Sequence, residues 1–304
     1  MLEVIGAQIT KRAMAGVLVL CLGVIALCQT PASAPAGAPT GPRGVLRLRM
    51  TLKGKDPKLK LQRKRFYLIK GSLEQNKTLL ASQMERNKAL LPEVISRKCY
   101  YEKIRATPQL IAWLKDFDCE SVYCREVEPK FVEEGPNVIR EFKDAVDIAA
   151  RDNELGNREL ARKWIAAYMK EELRSGFYEL QQKEIRPFIT QAEKRAKEID
   201  PNSDFKVISV MTEGNGNAYF TDLTPGTYVI TNVIPTEVGD FAEVWTSEVT
   251  VTEGDLISVQ SSEKVFTISN DQSKLPKAIQ DNKQKVKNQT SVEVPLPACS
   301  TANK

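Results

Sequence analysis

The chain contains no histidine, which removes imidazole-dependent catalysis within one chain. Ser-His-Asp and Cys-His nucleophilic catalysis both need an imidazole, and the commonest transition-metal ligand is missing with it. Four cysteines lie beyond the N-terminal segment: Cys99, Cys119, Cys124 and Cys299. In an oxidising compartment an even set points to disulfides, with three possible full pairings. In an ideal helix Cys119 and Cys124 would have Cα atoms roughly 8 Å apart, beyond bonding reach. Either Asp118–Cys124 leaves the helix, or one of the two pairs with Cys99. A bridge among Cys99, Cys119 and Cys124 is expected, with Cys299 as the odd one out. No Cys-x-x-Cys pair supports a zinc or redox site.

Carboxylates remain available for acid–base work. Glu133-Glu134 and Glu171-Glu172 are adjacent pairs, but adjacent helical residues point about 100° apart, a solvated-face pattern rather than a catalytic dyad. Three tryptophans could stack on sugar rings. Trp113 and Trp164 fall on apolar helical stripes and are expected in a core. Trp245, between Val244 and Thr246, is the candidate for an exposed platform. No phosphate-binding loop, dinucleotide glycine motif or EF-hand occurs. The stretch 212–217 lacks the Asp series and distal Glu of a calcium loop and reads as a turn. No cofactor and no metal are expected.

The elements that must position these residues emerge from hydrophobic spacing. Val45–Leu52 alternates from Leu46 onward, a strand with Arg47 and Arg49 on its outer face. Phe66–Ile69 gives a second strand. From about 73 to 200 the pattern is helical. Thr107-Pro108 supplies an N-cap and a first-turn proline ahead of Leu110, Trp113 and Leu114. Asn137 opens a second helix, with Val138, Phe142 and Val146 on one stripe. After Gly156-Asn157, a third stripe runs through Leu160, Trp164, Ile165, Tyr168 and Leu173. Gly176 and Pro187 should kink or divide the rest of the helical region. Strands resume at Phe205–Met211, and Asn215-Gly216 is a hairpin signal. Further strands are expected at Thr227–Thr231, Glu243–Val251, Leu256–Gln260 and Val265–Ile268.

Gly216, Phe220, Leu223, Pro225, Gly226 and Tyr228, spaced as turn, strand, Leu-x-Pro-Gly-x-Tyr and strand, resemble the carboxypeptidase regulatory-like, prealbumin-like (Cna B-type) β-sandwich modules of secreted bacterial proteins. The resemblance covers Val45–Ile69 and Phe205–Gln260. It implies an α+β fold, a prealbumin-like antiparallel β-sandwich interrupted by an all-helical insertion. Ala218 stands where a larger apolar residue is usual, and Asn232 on the inward face implies a bulge or an early strand end. The Lys–Asn isopeptide bond of related pilin-type modules would need a first-strand lysine. Here that strand carries Arg47 and Arg49, with Lys53 at its end and Asn270 and Glu248 as the remaining members.

The implied organisation begins with a signal peptide at 1–28, cleaved as late as 36, and a flexible leader at 29–44. The first part of the sandwich spans 45–72, the helical insertion 73–200 and the second part 201–269. A polar, disordered tail covers 270–304 apart from Val292–Val294. Lys11-Arg12, the short apolar run after them and the small residues beyond it carry the signal reading, so a secreted or periplasmic location is expected. The alternative is an inner-membrane signal anchor. No later segment is apolar enough to span a bilayer. The net charge is +5, with basic residues concentrated between Arg43 and Lys70. Arg47, Arg49, Lys53, Lys58 and Lys60 form a basic patch suited to an anionic envelope polymer, a polysaccharide or another envelope protein, with no nucleic acid. The expected function is a non-catalytic binding or structural protein of the envelope or extracellular space, its sandwich carrying a helical recognition subdomain. The alternative is a carboxylate-dependent hydrolase acting on a glycan.

Overall fold

Leu46 and Leu48, alternating with Arg47, form strand β1 (Gly44–Arg49), and the apolar run Phe66–Ile69 lies in β2 (Arg65–Lys70). The computed structural model describes residues 44–49, 61–152, 157–251, 256–260, 283–285 and 289–299. After β2 come α1 (Lys77–Lys88), α2 (Pro92–Ile95), α3 (Arg97–Lys103), α4 (Pro108–Asp116), α5 (Arg140–Asp152), α6 (Arg158–Lys163), α7 (Ile165–Tyr168), α8 (Glu171–Arg174) and α9 (Gly176–Ile199). Strands then return as β3 (Ile208–Met211), β4 (Asn217–Leu223), β5 (Gly226–Thr231), β6 (Thr236–Val238), β7 (Phe241–Val251), β8 (Leu256–Gln260), β9 (Lys283–Lys285) and β10 (Gln289–Pro295). The fold is α+β: two sheets, with helices inserted between β2 and β3.

One sheet has the order β4-β1-β8-β9 and the other β10-β7-β5-β2-β3, with β6 also paired to β7. The pairs are antiparallel except β1–β8 and β8–β9, which are parallel. Leu46, Leu48 and Phe220 from the first sheet pack against Phe66, Leu68 and Trp245 from the second. On the second sheet's other face, Tyr67, Ile69 and Val229 pack against Ile185, Phe188 and Ala192 of α9. β2 is therefore covered on both sides, which is why it reads as a continuous apolar run rather than an alternation. The helices build a core of their own around Trp113, Phe142 and Phe177.

Two turns differ from the hairpins their residues suggest. Gly216, at φ +79°, allows the tight turn, yet β3 and β4 lie in different sheets, so the turn carries the chain across the sandwich. The next turn does the same between β4 and β5. There the Tyr228 hydroxyl donates to the Thr224 carbonyl at 2.7 Å and fastens the corner. β5 ends at Thr231, the early strand end that Asn232 implies. The Asn232 amide donates to the Glu243 carbonyl at 2.8 Å and accepts from the Trp245 N–H at 2.8 Å. It thereby replaces the ladder that the backbone abandons.

The helix signals hold locally. Thr107 caps α4 by accepting from the Leu110 N–H, and Asn157 caps α6 by accepting from Glu159 and Leu160. The stripe expected from Leu160 to Leu173 is broken into α6, α7 and α8, so its phase is lost at Trp164. α9, by contrast, continues through Pro187. It starts at Gly176, where a Cβ would overlap the Tyr100 hydroxyl that donates to the Glu172 carbonyl.

The C-terminal segment corrects the expectation of disorder outside Val292–Val294. β10 pairs with β7 from Gln289↔Ser247 to Pro295↔Phe241, because the eleven-residue β7 offers an edge beyond the reach of β5. The expected signal peptide, the strand at Val265–Ile268 and Asn270 lie outside the described residues. Among the described residues no helix is long and apolar enough to cross a membrane.

Candidate functional site

Two charged regions flank one short loop, residues 117–127. The first is the seam between insertion and sandwich. Lys64 enters it from just before β2 and is only 1% exposed. Its Nζ donates to Asp118 Oδ1 at 3.0 Å. Arg97, from the first turn of α3, bonds the same oxygen through Nη2 at 3.0 Å and pairs with Glu237 of β6 at 3.3 Å. The Arg97 backbone N–H also donates to Glu237 Oε2 at 2.7 Å, and its Nη1 reaches the Cys119 carbonyl at 3.0 Å. Burial alone would lower the Arg97 pKa, but Glu237 and Asp118 outweigh it and the net shift is upward.

Glu120 is the third acid here. Its surface is partly exposed, yet its carboxyl sits among enough protein atoms for desolvation to raise its pKa. Lys64 and Arg97 oppose that rise, and Asp118 adds to it. The two cations already face Asp118 and Glu237, so a third negative charge has weak compensation. Asp118, at φ +48°, is the residue that turns the chain out of α4.

That turn also brings Cys119 and Cys124 together, with Cα atoms 5.5 Å apart and the pair joined as a disulfide. α4 has ended at Asp116, so the helical spacing does not apply. Cys299 is not the odd one out: it is bonded to Cys99, with Cα atoms 4.9 Å apart and a sequence separation of 200. β10 supplies the reason, since pairing with β7 delivers the C-terminal segment to α3.

The second region lies beyond the small disulfide. A groove of about 330 Å³ opens between the 3-10 turn Val122–Cys124, with the residues after it, and α6–α7. Val122, Val127 and Ile165 of the helical core form its apolar part. Arg125, Arg162 and Lys163 supply cations to its lining, and Glu126 is the acid among the lining residues. The Arg125 guanidinium lies 3.8 Å over the Phe117 ring and bonds Glu128 at 2.8 Å. Arg162 Nη1 donates to Glu126 at 2.8 Å and to the Val127 carbonyl at 2.6 Å. Its side chain is only 14% exposed, so the fork is held in place.

Tyr123, 59% exposed, lines the groove, and Trp164, 62% exposed, separates the lining residues Lys163 and Ile165 in the chain. The stripe reading puts Trp164 in a core, but it lies at the junction of α6 and α7, where no continuous helix holds it to the stripe.

The other expected site residues are placed differently. Trp245 is no platform: it is 1% exposed and packs on Phe66 at 5.8 Å between the sheets. The face of β7 that carries Trp245 is turned toward the other sheet and is buried along its length, so it cannot present an aromatic to solvent. Arg47 is no solvated patch residue either. It is 6% exposed, with its guanidinium 5.7 Å from the ring of Tyr219, its cross-strand neighbour. Arg49 belongs to β1, and Lys53, Lys58 and Lys60 lie outside the described residues. The basic run is also offset by acids distant in sequence. Lys64 meets Asp118, and Lys70 pairs with Asp200 at 2.7 Å. Glu133, Glu134, Glu171 and Glu172 are exposed. Sequence reasoning missed Lys64, Arg97, Glu120 and Arg162, because nothing in spacing marks a cation that tertiary contacts will bury.

No known family's sequence profile matches the chain, and no curated protein matches it. A solved structure it is similar to is the pilus backbone RrgB from Streptococcus pneumoniae, at 11% identity and a TM-score of 0.18. The match covers 68% of this chain and 34% of that one. So low a TM-score carries no argument about fold or function.

Proposed function

We propose that this chain is an exported, non-catalytic binding protein in which the β-sandwich is a scaffold and the helical insertion carries recognition. The observation that supports this reading is the groove beside the Cys119–Cys124 loop. There core residues, held cations and the exposed Tyr123 line one groove on the insertion's own surface, and the exposed Trp164 stands in the chain between two of its lining residues. Binding residues on a loop held by a rigid frame are a common arrangement. The two disulfides fit an oxidising compartment. Arg47 and Lys64 are buried and so are not part of an exposed basic surface, while Lys53, Lys58 and Lys60 lie outside the described residues.

The test is sedimentation of the purified protein with the polysaccharide fraction of its own cell envelope and medium, at low and physiological salt. Ala166→Trp should fill the groove and abolish retention while leaving thermal stability near that of the parent. Retention unchanged by that substitution, or none in the parent at low salt, would end the proposal.

A second reading has one observation in its favour. Glu120, with its raised pKa, lies beside Asp118, the pattern of an acid and a carboxylate partner in glycan hydrolysis. Against it, Asp118 is committed to Lys64 and Arg97, and neither acid lines the groove. Release of reducing ends from a glycan, lost in Glu120→Gln with the fold intact, would favour this reading over binding alone.

A further inference from the structure

Resting on the groove reading above, we infer that its ligand is an acidic oligosaccharide: a sugar chain bearing carboxylates, stacked on Trp164 and Tyr123 and anchored by Arg162. Arg162 carries the argument. Its two bonds, to Glu126 and the Val127 carbonyl, both use Nη1. Nε and Nη2 have no partner among the described residues, although the side chain is largely buried and lines the groove. A guanidinium has five N–H donors in a planar fork that matches a carboxylate two-to-two. Here one edge of the fork is spent on holding it still, and the other edge is unspent. A held cation loses little side-chain entropy when an anion arrives, and that favours binding.

The aromatics narrow the class. Trp164 and Tyr123 are the most exposed of the large apolar side chains among the described residues, whereas tryptophan is usually well buried. Flat rings open to water suit the C–H faces of pyranose sugars, which an inorganic anion or a simple polyanion lacks. Arg125 and Lys163 also line the groove, each paired with an acid outside the lining, Glu128 at 2.8 Å and Glu159 at 3.8 Å, so the unspent edge of Arg162 is what is left to meet an anion. A neutral sugar would leave the Arg162 fork unmatched, and a polyanion without rings would leave the platforms unused. A carboxylated sugar chain uses both.

The protein carries its own reporter. It has three tryptophans; Trp113 and Trp245 are buried and Trp164 is exposed. Acrylamide quenching of tryptophan fluorescence therefore reports on Trp164. Galacturonate oligomers should protect it saturably in the intact, oxidised protein. Cello-oligomers of equal length should protect at least about tenfold more weakly, and Arg162→Gln should weaken the acidic ligand by at least a similar factor. Trp164→Phe should remove the quenchable signal yet keep binding by calorimetry, and Trp164→Ala should weaken it. Near-ultraviolet circular dichroism of each variant verifies the fold. Equal protection by the neutral oligomer would overturn the acidic half of the inference. Polyglutamate binding as tight as galacturonate, untouched by Trp164→Ala, would overturn the sugar half. No protection by any sugar, with polymer retention still lost in Ala166→Trp, would overturn this ligand class while leaving the groove reading standing. Failure of both assays would remove both.

Discussion

The seam and the groove are both rich in charge and share one loop, but they treat their cations in opposite ways. At the seam, Lys64 and Arg97 are buried and meet Asp118 and Glu237. At the groove, Arg162 is held by one edge of its guanidinium while the other edge has no partner among the described residues. A buried charge whose bonds are completed within the protein joins two parts of a fold. A fixed charge with donors left over is equipped for something from outside. Asp118 and Glu120 face the seam, while Tyr123 and Arg125, a few residues on, line the groove. The Cys119–Cys124 disulfide closes the loop between them.

The largest effect should come from the seam. Arg97→Met leaves Asp118 and Glu237 without their shared cation and should cost about 3–5 kcal/mol in urea unfolding. Arg162→Gln, whose partner Glu126 is exposed, should cost no more than about 1 kcal/mol. If the two variants unfold alike, the contrast between seam and groove is wrong. Next is the Cys119→Ser/Cys124→Ser double variant. Closing so short a loop is worth about 2 kcal/mol in the chain-entropy account, so the fold should survive. Groove binding should nonetheless fall, because Val122, Tyr123 and Arg125 lose their fixed frame. Undiminished binding in a folded double variant would show that the disulfide does not couple the regions.

The smallest effect concerns Glu120. Its folded pKa is raised, so the folded protein holds this proton to higher pH than the unfolded chain does. Ionised Glu120 therefore costs stability above its folded pKa, and the cost fades as pH falls toward the unfolded value near 4.3. The groups that face it are Lys64 just before β2, Arg65 of β2, Arg97 from α3 and Asp118 from its own loop. Glu120→Gln should raise the melting temperature at pH 7 to 8 and change it little near pH 4. A loss of stability at pH 7 would instead mean that the carboxylate is needed to balance Lys64 and Arg97.

Much of the fold was legible because local physics decides it. Thr107-Pro108 and Asn157 cap helices through their own side chains, and the apolar run in β2 reports a strand covered on both faces. The Pro225-Gly226 corner and Tyr228 behave as their spacing implies. The turns were legible as turns, but not as crossings between sheets, since a tight turn is compatible with pairing or with an arch. The candidate site was hardly legible. Trp164 was misplaced because a helical stripe presumes one continuous helix, and the chain breaks there. Trp245 and Arg47 were misplaced because the exposure of a strand face depends on what covers it. That cover comes from distant segments: the facing sheet, with Leu46, Leu48 and Phe220, over Trp245, and Tyr219 beside Arg47.

By itself, the sequence determined the class of chemistry: without histidine, no imidazole can act as base or ligand. It also determined the two kinds of periodicity and the place where helices interrupt strands, because these depend on residues within a few positions of one another. Tertiary structure alone decided which cysteines pair, which acids offset the basic run from Arg43 to Lys70, and which aromatic stays in water. Those outcomes depend on contacts such as Cys99 with Cys299 and Lys64 with Asp118. Burial and charge compensation are set by neighbours in space, and spacing along the chain does not encode them.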